Sequence, residues 1–342
     1  MDIRKKLFSA EPPDTLASME NLASTCYSQG RWNEAEQLEV QVMDMKNELF
    51  GAEHPDTLIS MGNLANIYST QGRWGEAEHL EVQVMEMRKK LLGPAHLDTL
   101  ISMGNLASTY SNQGRWNEAE HIGIQVMKMR KKLLGPAHLD TLTSMGNLAS
   151  IYSNQGRWNE AEQLEVQVME MRKELLGPAH LDTLTSMGNL ASTYSNQGRW
   201  NEAEQLEVQV MEIRKLFTSE HPDTLISMGN LAMTYCNQGR WKEAEQLEVQ
   251  VMEIMKNMLG TEHPSTLTSM GNLASTYHNQ GRLNEAEQLG VQVMEMKKKL
   301  LGAEHPLTLT SMANLAMTYS NQGRLNEAEQ LELEVMNIRK RD

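Results

Sequence analysis

The chain has 342 residues, 40% of them hydrophobic, with 26 Met, 3 Phe and 2 Cys. That length ordinarily means two or three globular domains, yet the apolar share is lean for their cores. A formal net charge of −14 argues against a nucleic-acid surface or an anionic-membrane anchor, and two cysteines against a disulfide scaffold or Cys-rich zinc module.

Met1 to Glu11 carries no apolar signal segment, and no apolar run approaches the ~20 residues of a bilayer span. The expectation is a soluble, cytoplasmic protein that contacts neither nucleic acid nor membrane. Residues 1–11 match the end of the second helix of the unit described next. Residues 1–13 are therefore expected to be the stub of a preceding unit plus its linker, and the chain a piece of a longer protein.

From residue 14 onward one unit is written eight times. The third residue of Gly-Arg-Trp, or of Gly-Arg-Leu in the last two copies, falls at Trp32, Trp74, Trp116, Trp158, Trp200, Trp241, Leu283 and Leu325. The spacing is 42 residues except for one step of 41, a period that means stacked repeats and voids the domain count taken from length. The copies run 14–55, 56–97, 98–139, 140–181, 182–222, 223–264, 265–306 and 307–342, one array over the whole chain. The single deletion lies near Leu216 to Glu220.

Each copy is predicted to be an antiparallel helix pair. In the second, Leu58, Met61, Leu64, Ala65 and Tyr68 share one face of helix A. Gly72 stands where a left-handed residue ends it. Trp74, Ala77, Leu80, Val84 and Met87 then mark helix B. Asn-Glu-Ala-Glu, as in Asn33 to Glu36, is expected to cap the start of helix B, and Arg88-Lys89-Lys90 suits its end. Glu-His-Pro-Asp-Thr (Glu53 to Thr57) announces the next helix A. No segment alternates with period two, so strands are not expected.

Leu64-Ala65-x-x-Tyr68 followed by Ala77 resembles the tetratricopeptide repeat signature. The 42-residue length and the run Asn-Leu-Ala…Tyr…Gln-Gly-Arg-Trp…Glu-Ala-Glu resemble the kinesin light chain/nephrocystin subtype, and the wording is similar to the repeats of fungal NB-ARC receptors. The resemblance implies an all-α fold, a right-handed α-solenoid superhelix of about eight antiparallel helix pairs. It also implies a non-enzymatic scaffold that binds a protein or extended peptide along a concave helix-A groove. Such an array serves as the recognition end of an NB-ARC-type receptor or, alternatively, as a kinesin light chain-like cargo adaptor.

Three columns depart from the general signature. Met replaces Trp in helix A (Met19, Met61, Met103, Met145, Met187, Met228, Met270, Met312), a longer linker replaces the closing Pro, and Glu stands four places after the helix-B Ala. The Glu column reads Glu39, Glu81, Glu165, Glu207, Glu248 and Glu332, with Gly123 and Gly290 in copies three and seven. It falls inside the apolar arc, so either a half-buried carboxylate bonded by Arg or Tyr of a neighbouring helix, or a stem snorkelling to water, is expected.

The recurrent histidines, His54, His96, His138, His180, His221, His263 and His305, stand one repeat apart. Equivalent residues of stacked helices lie about 10 Å apart, so they form a row with no metal cluster and are expected to serve helix starts. No nucleophile elbow and no phosphate-cradling Gly-rich loop occurs. No enzyme, cofactor or metal is expected. Cys26 and Cys236 lie five repeats apart, so a mutual disulfide is not expected.

The Asn before each Leu-Ala, at Asn21, Asn63, Asn105, Asn147, Asn189, Asn230, Asn272 and Asn314, is turned about 100° from the packed face. The resemblance implies a peptide-binding ladder, and an amide that both donates and accepts suits a peptide backbone. A structural bond to the adjacent helix is the alternative. If the ladder binds peptide, specificity lies in the variable columns beside it. Four before the Asn these are Ala17, Ile59, Ile101, Thr143, Thr185, Ile226, Thr268 and Thr310; three after, Ser24, Asn66, Ser108, Ser150, Ser192, Met233, Ser275 and Met317. Six after, they are Tyr27, Ser69, Ser111, Ser153, Ser195, Cys236, His278 and Ser320. None is Lys or Arg, so a groove that clamps a ligand carboxylate is not expected, and the expected ligand is an extended segment of mixed or apolar character, or a partner helix. Copy three alone is locally basic, because His121 to Lys128 replaces a Glu-rich run. Uncapped array ends predict weak end-to-end self-association.

Overall fold

The computed structural model describes residues 13–218 and 220–340. The stub read at 1–11 lies outside them, apart from the linker residue Pro13. Among the described residues there are sixteen α-helices and no strand. They fall in two compact units, Met1–Ser186 and Met187–Asp342, with the division inside a helix.

The first unit holds α1 (Pro13–Ser28), α2 (Trp32–Phe50), α3 (Pro55–Thr70), α4 (Trp74–Leu92), α5 (Leu97–Asn112), α6 (Trp116–Leu134), α7 (Leu139–Asn154) and α8 (Trp158–Leu176). Helix α9 (Leu181–Asn196) carries the division. The second unit continues with α10 (Trp200–Phe217), α11 (Pro222–Asn237), α12 (Trp241–Leu259), α13 (Pro264–Asn279), α14 (Leu283–Leu301), α15 (Pro306–Asn321) and α16 (Leu325–Arg339). Odd-numbered helices are helices A and even-numbered ones helices B, as the 3.6-residue spacing predicts. The TPR-like solenoid fold follows from this alternation.

Local chemistry sets each boundary. Helices A start at the histidine, whose Nδ1 accepts the backbone N–H two residues on, as His54 does from Asp56 at 3.2 Å. His96, His138, His180, His221, His263 and His305 repeat the bond. The expected helix-start role is what the structure shows.

Helices A end in a Schellman motif. After α7, Gly156 at φ +73° gives its N–H to Ser153 and Arg157 gives its N–H to Tyr152, both at 2.9 Å. A Cβ built on Gly156 meets no atom within 4 Å, so any side chain there is opposed by the backbone alone. Gly156→Ala is expected to destabilise the array by about 1–2 kcal/mol. The helical Gly146→Ala, equally open, should instead stabilise it by about 0.5–1 kcal/mol. Paired thermal melts check both signs.

The capping box expected at the start of helix B does not form. Helix B begins one residue earlier, at the Trp, so Asn33 lies inside α2 and Arg31 holds the cap position without a side-chain cap bond. The Glu expected to cap, Glu36, instead accepts from Arg73 Nη1 of the next copy at 2.8 Å and from Gln71 Nε2 at 2.9 Å, while Arg31 Nε donates to Glu34 Oε1 at 2.8 Å. The 41-residue step shortens α10 to 18 residues and ends it at Thr218 in extended backbone, where α2, α4, α6, α8, α12 and α14 end at a glycine of φ near +90°.

The core is built in columns. Helix A buries Leu142, Leu148 and Ala149 in α7, and helix B buries Ala161 and Val168 in α8, each at most 2% exposed. Leu142, Met145 and Val168 cluster with Met127 of the preceding helix B; Leu225, Met228 and Val251 do so with Met211. The Met column is thus core filler, although Met61 and Met103 are only half-buried.

A polar staple joins consecutive repeats. Within the first unit Arg115 reaches back to Glu78 at 2.7 Å, bonds Glu118 on its own helix, and lies over the Tyr110 ring at 4.0 Å. In the second unit Arg282 does the same with Glu245 at 2.7 Å, Glu285 and Tyr277. The arginines are more than a third exposed and the Glu78 and Glu245 carboxylates 26% exposed, so water screens the pairing. Much of the acidity of helices B serves this staple.

Candidate functional site

The Asn ladder stands on helices A, one residue before a Leu that is at most 2% exposed in every copy but the first, where Leu22 is 50% exposed, and its side chains are turned away from the core. In the first unit Asn21, Asn63, Asn105 and Asn147 are exposed; in the second Asn189, Asn230 and Asn314 are exposed and Asn272 is half-buried. Asn63 differs from the rest, since its Nδ2 donates to the buried Glu39 Oε1 at 3.2 Å. That is the structural use of the amide that the sequence left open.

The flanking columns divide by depth. Ile59, Ile101 and Ile226 are 46%, 45% and 53% exposed, and Met233 and Met317 are exposed likewise. Asn66, Ser108, Thr143, Ser150, Thr185, Ser192 and Thr268 are also exposed. The third column lies deeper and bridges neighbouring helices A. Ser111 Oγ accepts from Asn154 Nδ2 at 3.0 Å, and Cys236 Sγ lies 3.3 Å from Thr276 Oγ1. His278 contacts Thr318 Oγ1 through Nδ1 at 3.2 Å and Asn321 Nδ2 through Nε2 at 2.8 Å. Its ring faces the repeat junction.

Two cavities open on this face, one in each unit. The first, of about 450 Å³, lies between α5 and α7 and is lined by Asn105, Asn147, Ile101, Thr143, Ser108 and Ser150, with Gly123 of α6 beneath. The second, of about 300 Å³, lies between α13 and α15 and is lined by Asn272, Asn314, Thr268, Ser275, His278 and Met317, with Gly290 of α14 beneath. Both lie where Gly replaces the helix-B Glu. The ladder and its variable neighbours come together around each.

Elsewhere that Glu column is buried, except for the exposed Glu332 of the last copy. Glu39, Glu81, Glu165, Glu207 and Glu248 are 2–7% exposed. The partners are not the expected Arg or Tyr. Those side chains are committed to the staple, and the residue facing the carboxylate one turn beyond the ladder Asn of the next helix A is a threonine. Thr109, Thr234 and Thr276 bond Glu81, Glu207 and Glu248, while Glu39 takes Asn63. Burial pushes the carboxyls of Glu81, Glu207 and Glu248 up to about 7.

Among the described residues no three His, Cys, Asp or Glu side chains are placed to hold a metal ion, and no helix is long and apolar enough to cross a membrane. Cys26 and Cys236 are free thiols.

Comparison with known proteins agrees with this architecture. Tetratricopeptide repeat models match residues 14–90, 82–132, 98–174, 183–223, 223–299 and 265–341. No curated protein matches the sequence. Among solved structures, the nearly identical TPR-like repeats of a kinesin light chain-like protein from Podosopora anserina are 36% identical, with a TM-score of 0.51 over 58% of this chain and 95% of that one. BtubC (BKLC) from P. vanneervenii is 18% identical, with a TM-score of 0.52 over 68% and 92%. The apo quorum sensor NprR from B. thuringiensis, 13% identical, superposes over 94% of this chain and 87% of its own with a TM-score of 0.66. The last two show a shared fold alone. The chain belongs to the tetratricopeptide repeat family.

Proposed function

We propose that this chain is a non-enzymatic scaffold that binds a protein or extended peptide along the Asn-bearing face of its helices A. The observation that supports this most is the pair of cavities lined jointly by ladder asparagines and by residues that vary between copies. Exposed amides can hold a peptide backbone in any sequence, while Ile, Thr, Ser and Met beside them select side chains.

The test is selection from a displayed random-peptide library on the purified chain. Replacing Asn147, Asn189 and Asn230 with Leu should weaken the selected peptides by at least ~10-fold, about 1.4 kcal/mol, with helicity and melting temperature retained. Undiminished binding overturns the groove assignment.

Two contexts fit such a scaffold. The 36% identity to kinesin light chain-like repeats favours a cargo adaptor; the wording of the copies favours the recognition array of an NB-ARC-type receptor. A heptad coiled coil or a nucleotide-binding motor encoded in the same reading frame separates them.

A further inference from the structure

Seven residues after the Glu position, helix B carries a cation in every copy but the sixth: Lys46, Arg88, Arg130, Arg172, Arg214, Lys297 and Arg339, with Met255 in copy six. The two positions lie on one helix face about 10 Å apart. The arginines of this column bond the first turn of the next helix A, as Arg130 Nη1 donates to the Asp140 carbonyl at 3.1 Å and to Ser144 Oγ at 3.0 Å, and in copy seven Lys297 is buried at 7% exposure. Lys46, its counterpart in copy one, is paired with Glu20. Among the described residues, none makes a hydrogen bond or ion pair with Lys297. A desolvated ammonium without a counter-charge is costly. Burial pushes its pKa down, and its charge also pushes that of His305 down.

Lys297 lines the Gly290 cavity, which has no Asp or Glu in its wall. Thr318 lines it too, at the register where Thr109, Thr234 and Thr276 bond the buried glutamates of other copies. A Cβ on Gly290 would touch only Leu315, at 3.3 Å from its mobile Cδ1. Leu315 must give by a few tenths of an ångström to admit a side chain there. The Gly123 cavity is a poorer match, since Ile151 stands at the Thr register and Asp140 is in its wall.

We propose that the Gly290 cavity is a pocket for an aspartate or glutamate side chain of a bound peptide. The ligand carboxylate pairs with Lys297 and accepts from Thr318. This pocket rests on the groove reading above, and it adds a charge preference invisible in the helix-A columns.

The probes are peptides selected from the same library. Wild type should enrich Asp or Glu at one register. Changing that residue to Asn or Gln should cost ~10-fold or more in affinity, the range of a charge-assisted bond. On Lys297→Met, which reproduces the Met of copy six, the same exchange should cost less than ~2-fold. Gly290→Glu should weaken the acidic peptide by ~10-fold or more by placing a negative side chain in the wall of the cavity the ligand carboxylate enters. Circular dichroism melts establish that both variants fold. Peptides that need the Asn ladder but show no acidic register, or an equal penalty on Lys297→Met, overturn the pocket and leave the groove standing. Failure to select any peptide, or indifference to the Asn→Leu changes, overturns the groove and the pocket with it.

Discussion

The array is expected to be most stable near pH 5 and to lose stability steadily as pH rises towards 7.5. Glu81, Glu207 and Glu248 ionise near 4.5 when unfolded but only at about 7 when buried against Thr109, Thr234 and Thr276. Below pH 4.5 the carboxyls are protonated in both states and the neutral column is fully tolerated. Between 4.5 and 7 the folded chain holds more protons than the unfolded one, so stability falls with rising pH. Above about 7 both states are ionised and the loss levels off. Each group contributes roughly 3 kcal/mol over that window.

Other groups pull the opposite way. Glu78, Glu245 and Glu287, whose arginine partners hold them below the ordinary carboxylate range, stabilise the fold above pH 4.5 and lose this as pH falls lower. They are solvent-screened and act outside the window. Half-buried His263 and His305, lowered by burial, destabilise the fold only as pH falls below 6.5. The profile should therefore slope downward from pH 5 to 7.5. The triple variant Glu81→Gln, Glu207→Gln, Glu248→Gln should flatten it and melt higher at pH 8. A wild-type profile that is flat, or a slope untouched by the three changes, refutes the assignment.

The second large effect concerns the core. Leu231 is 1% exposed in α11, and Leu231→Ala should destabilise the second unit by about 2–5 kcal/mol, the cost of lost burial plus the cavity left behind. Leu216, at the shortened end of α10, is 85% exposed, and its replacement by Ala should change stability by no more than about 0.5 kcal/mol. In an array stabilised by nearest-neighbour contacts, the first change should also broaden or split the melting transition. Denaturant titrations of the two variants side by side measure the contrast. Equal effects would contradict the burial pattern.

Most of the fold was legible because it rests on local rules. Gly72 and its equivalents announce Schellman turns, and Leu, Ala and Val at spacings of three and four announce the two packed faces. The histidine row was legible as helix-start chemistry for the same reason. The start of helix B is not legible, because Asn-Glu-Ala-Glu has the composition of a capping box, whereas the turn leaves Arg31 at the cap and Glu36 bonds Arg73 and Gln71 of the next copy. No local signal distinguishes those two uses of a glutamate.

The candidate site was legible in part. The ladder asparagines and the exposed Ile and Met beside them follow from a rotation of 100° per residue. The cavities do not, since each needs a glycine on one helix to meet two asparagines on two others. Lys297 escaped notice because it belongs to helix B and lies between two helices A, far from it in sequence.

The sequence by itself therefore determined the repeat, the helix pairs, the core columns and the family, all of which depend on residues within one turn of each other or exactly one period apart. Only the tertiary structure decided the partners of the buried glutamates, the depth of the His278 column and the pairing of an empty Gly290 position with an uncompensated Lys297. Those depend on which side chains meet across three helices, where burial removes water and a missing or present carboxylate decides whether a charge is tolerated.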